Sequence, residues 1–329
     1  MARLLNFDIA KAICIILVVI GHYSPDGSPD WYKAIWSWIY SFHMPLFMFA
    51  SGYIYNAFKK DEPYKKFIIK KIKRLMIPYF VVSFIVISIK LLTQRGLYVQ
   101  NPVTIESFLK VFYHPEAGYF LWFVWSLFTM FLIAPLLRTR KSRTFAFIIA
   151  AVLHYIPFSL THIFALHETK TMFIWFMLGV CCYDWGITSI NAKLSISTQK
   201  IVGVLTIVLF AIASIFRKDF YALAITQSWL GIASVMVIST FLSKVLQGKA
   251  LNVFLILSAS NYIIYLFHTT FEGFAKAFLQ KTHIGSLDGT TLFCVQATLV
   301  ILCGIICPII LHHAVLKRFK LTRFLFGLK

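Results

Sequence analysis

Apolar runs separated by short polar stretches recur from one end of the chain to the other, each close to the ~20 residues a helix needs to cross a hydrocarbon core. Ten such segments are predicted, at 7–22, 38–58, 76–92, 119–137, 145–160, 171–187, 201–216, 222–242, 252–271 and 290–316. The fold class is therefore all-α: a polytopic membrane protein of about ten transmembrane helices. The polar stretches, the longest near 59–74 and 93–118, are too short to fold alone, so 1–329 is expected to be a single integral-membrane domain.

The first segment carries a polar ladder. Asp8, Lys11, Ile15, Val18 and His22 recur at +3, +4, +3 and +4, which puts them on one helix face at about 100° per residue. Lys11 and His22 then stand about 16 Å apart along the axis, roughly half a hydrocarbon core. Arg3 and the apolar core after it have the outline of a secretory signal. Asp8 and Lys11 interrupt that outline and no small-x-small cleavage site follows Ile20, so a retained span is predicted.

Turn formers from Tyr23 to Asp30 mark an outer loop, and Trp31, Trp36 and Trp38 an interfacial belt. The second span brings His43 and Pro45 level with His22. Residues 59–74 interleave lysines with Phe67, Ile68, Ile69 and Ile72, the pattern of a helix lying on the cytosolic membrane face, ending at Lys73-Arg74 where the chain turns up into the third span. Outer loops carry His114 and Glu116, then His162, His167 and Glu168. The ninth span runs Ser258-Ala259-Ser260-Asn261-Tyr262 to His268.

Composition strengthens this picture: 59% of residues are hydrophobic, 17% aromatic and 13% charged, and mean hydropathy is +0.78. The net charge of +20 suggests a nucleic-acid partner until the basic residues are placed. With a cytosolic N-terminus, 22 lysines and arginines fall on inner segments, from Arg3 through the 59–74 cluster to Lys193 and Lys329, and nine fall outside, Arg217 and Lys218 among them. The positive-inside rule thus favours both termini in the cytosol, and the charge reflects topology, with no nucleic acid expected. The six cysteines lie in apolar segments; Cys303 and Cys307 alone do not make a zinc site, and no metal is expected.

Three histidines on three spans, His22, His43 and His268, sit towards the outer side, where imidazole suits general-base work on a hydroxyl. Asp8 and Lys11 form either a satisfied ion pair or an anion contact at the inner end of the first span. The 59–74 lysines fit lipid headgroups, while Arg74 can grip a phosphate bidentately. Trp122 and Trp125 serve as belt aromatics or as stacking faces.

At these residues the chain resembles the acyltransferase-3 family of integral-membrane acyltransferases, near its fucose 4-O-acetylase-like branch. The resemblance rests on Asp8-x-x-Lys11-Ala12 with ten residues between Lys11 and His22, Phe42-His43-Met44-Pro45-Leu46-Phe47 through Ser51-Gly52-Tyr53, Arg74-Leu75-x-x-Pro78-Tyr79, Leu121-Trp122-Phe123 and Tyr265-Leu266-x-His268. It implies transfer of an acyl group, commonly acetyl from acetyl-CoA, to a hydroxyl of a cell-envelope glycan or its lipid-linked precursor, in the bacterial cytoplasmic membrane. His22 would be the essential base, with His43 and His268 beside it. Lys11 and Arg74, with Lys71 and Lys73, would hold the donor. Asp8, Ser51, Tyr53, Glu116 and Trp122 are candidate substrate contacts. Lysine at position 11 stands where the family usually has arginine, keeping the charge and losing the guanidinium fork. The family's added extracytoplasmic domain is not expected here, so the chain would act alone, as a homo-oligomer, or with envelope-polysaccharide partners. The rival reading is a transporter or flippase of a lipid-linked sugar that uses the same histidines as a polar lining.

Overall fold

The computed structural model describes residues 4–25, 27–96, 99, 101–187, 195–216, 221–281 and 289–328, without side chains at 221–225. Arg3, Asp26, Lys193, Arg217, Lys218 and Lys329, which enter the charge count and first outer loop above, lie outside the described residues. The structure is 82% helical, with no strand among the described residues.

The helices are α1 Leu5–His22, α2 Asp30–Tyr40, α3 His43–Ala57, α4 Tyr64–Lys71, α5 Ile77–Thr93, α6 Ser107–Lys110, α7 Trp122–Ile133, α8 Arg140–Tyr155, α9 Leu166–Asp184, α10 Ile196–Phe216, α11 Tyr221–Val245, α12 Gly248–Lys281, α13 Thr290–Leu311 and α14 Lys320–Leu325. Among the described residues, seven continuous helical stretches are long and apolar enough to cross a membrane: Leu5–His22, Tyr64–Thr93, Tyr119–Leu136, Ile196–Phe216, Thr226–Val245, Gly248–Lys281 and Thr290–Leu316. Apolar side chains such as Ile201, Val204, Leu209 and Ile215 of α10 and Leu299 and Ile310 of α13 are exposed, as a lipid-facing surface requires.

The remaining three expected spans take other forms. The second is broken: Phe42, at φ −143° and ψ −17°, leaves helical geometry between α2 and α3. Pro45 supplies the reason. Its ring would clash with the carbonyl four residues back, at Ser41, so a helix containing Pro45 must begin after Ser41. The fifth is α8, 16 residues long and ending at Tyr155 rather than 160; Thr139 and Ser142 cap it reciprocally, the Ser142 amide donating to Thr139 Oγ1 at 3.0 Å. The sixth is α9, which opens on His167, Glu168 and Lys170. In the basic stretch, α4 does not end at Arg74: a π-helical turn, Ile72–Met76, carries it without interruption into α5.

The chain divides into two compact units, with boundaries inside α9 and α12. Unit 1 comprises 1–59 and 175–261, and unit 2 comprises 60–174 and 262–329. In unit 1, α1 packs against α3 and α11, and α10 pairs with α11. α3 meets α9 at Gly52 and Gly179: a Cβ on Gly52 would overlap the Phe176 carbonyl, and one on Gly179 the Phe49 carbonyl. Two glycines thus allow backbone-to-backbone approach, as in membrane helix pairs. Asn56 Nδ2 fastens the same crossing by donating to the Val180 carbonyl at 2.9 Å and Asp184 Oδ1 at 2.8 Å. In unit 2, α7 packs on α4 and the π-turn, and α14 rests on α5.

Candidate functional site

In unit 1, the ladder predicted on α1 forms. Ile15 and Val18 are buried, and Asp8, Lys11 and His22 are half-buried. Lys11 Nζ pairs with Asp8 Oδ1 at 2.8 Å. α12 completes this end: Ser258 Oγ donates to Asp8 Oδ1 at 2.8 Å, and Asn261 Nδ2 to the Lys11 carbonyl at 3.1 Å. Ser258 and Asn261 were visible as polar residues three apart in an apolar run, which places them on one helix face; their partners were not.

At the other end of α1, Tyr40 lies between two histidines. Its ring is 6.3 Å from that of His22 and 4.8 Å from that of His43, edge-on in both cases. Gly21 makes the approach possible, since a Cβ there would stand 3.1 Å from Tyr40 Cε2. His43 is 2% exposed and donates from Nδ1–H to the Ile39 carbonyl at 2.8 Å. A carbonyl can only accept, so the neutral ring carries its proton on Nδ1 and presents Nε2 as the acceptor. Cys14 Sγ donates to the His43 carbonyl at 3.1 Å, tying α1 to the start of α3. Sequence reasoning overlooked Tyr40, although it lies only three residues before His43. Tyr53, a proposed substrate contact, is only 4% exposed, its ring stacked on Phe7 at 4.3 Å and edge-on to Tyr183 at 5.5 Å. Ser51 is half-buried on α3.

Unit 2 holds the other predicted residues. His268 is fully buried on α12, its Nδ1–H shared between the Tyr265 carbonyl at 2.8 Å and the Ile264 carbonyl at 3.1 Å, and its ring 5.2 Å from Phe120. Tyr265 donates to the Phe120 carbonyl at 2.6 Å and Tyr262 to the Leu75 carbonyl at 3.1 Å. Tyr262, Tyr265 and His268 follow one another at +3 spacing, a polar stripe on α12 that ends at the buried Glu272.

Arg74 is exposed in the π-turn, and Gly327, with φ +62°, lies against its backbone, where a Cβ would stand 2.8 Å from the Arg74 carbonyl oxygen. Lys71 Nζ sits 3.4 Å above the Phe131 ring. Lys73, with Lys65, Lys66, Lys70, Pro63 and Ile69, lines an open hollow of about 370 Å³. Lys70 pairs with Glu62, and the hydrogen bond holds the Glu62 carboxyl below its ordinary range. Trp122 is half-buried, edge-on to Phe123 at 6.2 Å. Glu116 is held within its own loop, accepting from Ser107 Oγ at 3.2 Å, with His114 Nδ1 at 3.2 Å and Lys110 Nζ at 4.0 Å. Those partners occupy both carboxylate oxygens. Among the described residues no group of three His, Cys, Asp or Glu side chains has the geometry to hold a metal.

The profile of the family described as "Acyltransferase domain" matches residues 4–313. The chain belongs to the acyltransferase-3 family. Two curated relatives carry the name nodulation protein NolL. The one from Mesorhizobium japonicum is 29% identical over 142 residues, which is 42% of this chain and 36% of the relative. The one from Sinorhizobium fredii is 30% identical over 139 residues, 41% of this chain and 36% of the relative. The matched region thus spans about a third of each relative's length. No solved structure matches the chain.

Proposed function

We propose that this acyltransferase-3 chain moves an acyl group, acetyl from acetyl-CoA, onto a hydroxyl of a cell-envelope glycan or its lipid-linked precursor. It would do so as a protein of about ten spans with cytosolic termini in the bacterial cytoplasmic membrane. The observation that carries the reading is the family match across residues 4–313. The names of the relatives point to bacteria, which agrees with the compartment.

In the proposed reaction His22 takes the proton of the acceptor hydroxyl. The oxygen attacks the thioester carbonyl, the tetrahedral intermediate collapses, and the thiolate leaves and is protonated as CoA. His43 supports this reading as a preset hydrogen-bonding group, since its Nδ1 is committed to Ile39 and Tyr40 lies between it and His22. His268 is proposed to orient the acceptor or stabilise the oxyanion. Exposed Arg74 and Lys73 suit the donor's phosphates. Lys11 is compensated by Asp8, so its proposed share in donor binding is secondary and Asp8 is its positioning partner. Lys71, held over Phe131, is likewise a lesser contributor. Ser51 and Trp122 remain proposed acceptor contacts, while Tyr53, packed on Phe7, and Glu116, bonded within its own loop, are proposed to support their neighbours rather than touch the sugar.

The test is acetyl labelling of a glycan fraction from radiolabelled acetyl-CoA in membranes with and without the protein. Label that appears only with the protein supports transfer. A flippase would leave the glycan unlabelled while still moving lipid-linked sugar, and that result overturns the proposal.

A further inference from the structure

Away from the histidines of the proposed transfer site, unit 2 contains a second imidazole assembly. It is built by the segment between α8 and α9, the first turn of α9 and the short helical turn Tyr119–Leu121 before α7. Glu168, 7% exposed, is its anchor. Its Oε1 receives His162 Nδ1–H at 2.6 Å and also the Tyr119 hydroxyl. Its other oxygen, Oε2, is buried and has no hydrogen-bond partner among the described residues. Lys170 Nζ, two residues on, bonds to the Ile156 and Phe158 carbonyls at 2.8 and 2.6 Å instead.

The pairing settles what the surface presents. With Nδ1–H donated to the carboxylate, the neutral His162 ring, 53% exposed, is left with Nε2 as its acceptor. His167 has the opposite tautomer. Its Nδ1 accepts the Leu160 amide at 3.3 Å, so its neutral ring carries the proton on Nε2 and presents a donor. The two ring centroids are 5.1 Å apart. Beside them Tyr119 is 52% exposed, offering an aromatic face. The chain is strained to hold this arrangement: Phe164 and Ala165, neither of them glycine, have φ of +54° and +52°.

An adjacent acceptor and donor match an alcohol, which both donates and accepts, and vicinal hydroxyls match them better still. A flat aromatic neighbour suits the C–H face of a pyranose. An anion is disfavoured by the carboxylate behind the pair, and both Nδ1 atoms are already committed. We propose that Glu168, His162, His167 and Tyr119 form a binding site for a polyhydroxylated ligand of the saccharide class. His162 Nε2 accepts from one hydroxyl, His167 Nε2–H donates to the next, and Glu168 is the positioning residue that aims His162. The site stands on its own geometry and does not require acyl transfer.

The test uses the purified full chain in nanodiscs with a methyl hexopyranoside as probe, in the absence of any acyl donor. Saturation-transfer NMR reads binding, and carbethoxylation of each histidine, followed by mass spectrometry, reports the contact. The probe should slow modification of His162 and His167 and leave His114 unchanged. Glu168→Gln and His162→Phe should each weaken binding by about tenfold. Unchanged modification of His162 at saturating probe, measured on the wild-type chain and so independent of any folding defect in a variant, would overturn the proposal. So would equal binding by methylcyclohexane-methanol, which has a single hydroxyl.

Discussion

Asp8 serves two partners through one oxygen, pairing with Lys11 and accepting from Ser258 at 2.8 Å each. Replacing it with asparagine leaves a half-buried ammonium without its counter-charge, and Asp8→Asn is predicted to cost about 1–3 kcal/mol. A fall in the thermal unfolding midpoint in detergent checks it; Ser258→Ala, which removes one neutral donor to Asp8, should cost about 1 kcal/mol. The ion pair was readable from a three-residue spacing, whereas Ser258, 250 residues away, was not, because periodicity specifies a face and never the element it meets. Glu62 gives a pH test outside the membrane. Its hydrogen bond from Lys70 lowers the folded-state pKa, so the pair adds stability above the unfolded value of about 4.3, and that contribution is lost as pH falls through the lowered folded value. Acid titration of the unfolding midpoint should therefore show a gap between wild type and Glu62→Gln at neutral pH that closes in acid; a gap independent of pH would contradict this origin.

Between elements, the α3–α9 crossing depends on two glycines. Ala at Gly52 or Gly179 would drive a methyl into a backbone carbonyl, which no rotamer change relieves, and a loss of about 1–3 kcal/mol is predicted for each. Gly273→Ala on α12 is the control, because nothing lies within 4 Å of its added Cβ, and it should be neutral or stabilising by about 0.4–1 kcal/mol. The same comparison shows where pattern reading ends. The apolar blocks located α1, α5, α7, α10, α11, α12 and α13 well, because burial in lipid imposes a length and a composition. Blocks of the same composition at 38–58 and 145–160 gave way to local chemistry: Pro45 forces a break after Ser41, and α8 stops at Tyr155, five residues before the expected end. The π-turn at Ile72–Met76 left no mark in the hydropathy at all, and a predicted corner at Arg74 became a continuous helix.

For the molecule as a whole, the asymmetry of lysine and arginine predicts an inner location for the start of α8 and the residues just before it, with Arg138, Arg140, Lys141 and Arg143. A single cysteine introduced at Lys141 in a cysteine-depleted chain should react with a membrane-impermeant maleimide only after the cells are opened, and labelling of intact cells would invert the topology. The candidate site was legible in part. The sequence named His22, His43 and His268 but not their neighbours: the Tyr40 ring beside His22 and His43, and Phe120 beside His268, whose Nδ1 is bonded within its own helix. Glu168 was visible in the sequence only as an outer-loop acid; that Tyr119 and His162 both converge on its buried carboxylate emerges from the fold. The central claim is that His22 drives acyl transfer from acetyl-CoA to a hydroxyl. Its most direct test is the initial rate of transfer by purified His22→Ala in proteoliposomes, beside wild type of equal monodispersity and unfolding midpoint. A fall of at least about 100-fold is predicted. A folded His22→Ala protein that transfers at the wild-type rate would contradict the account.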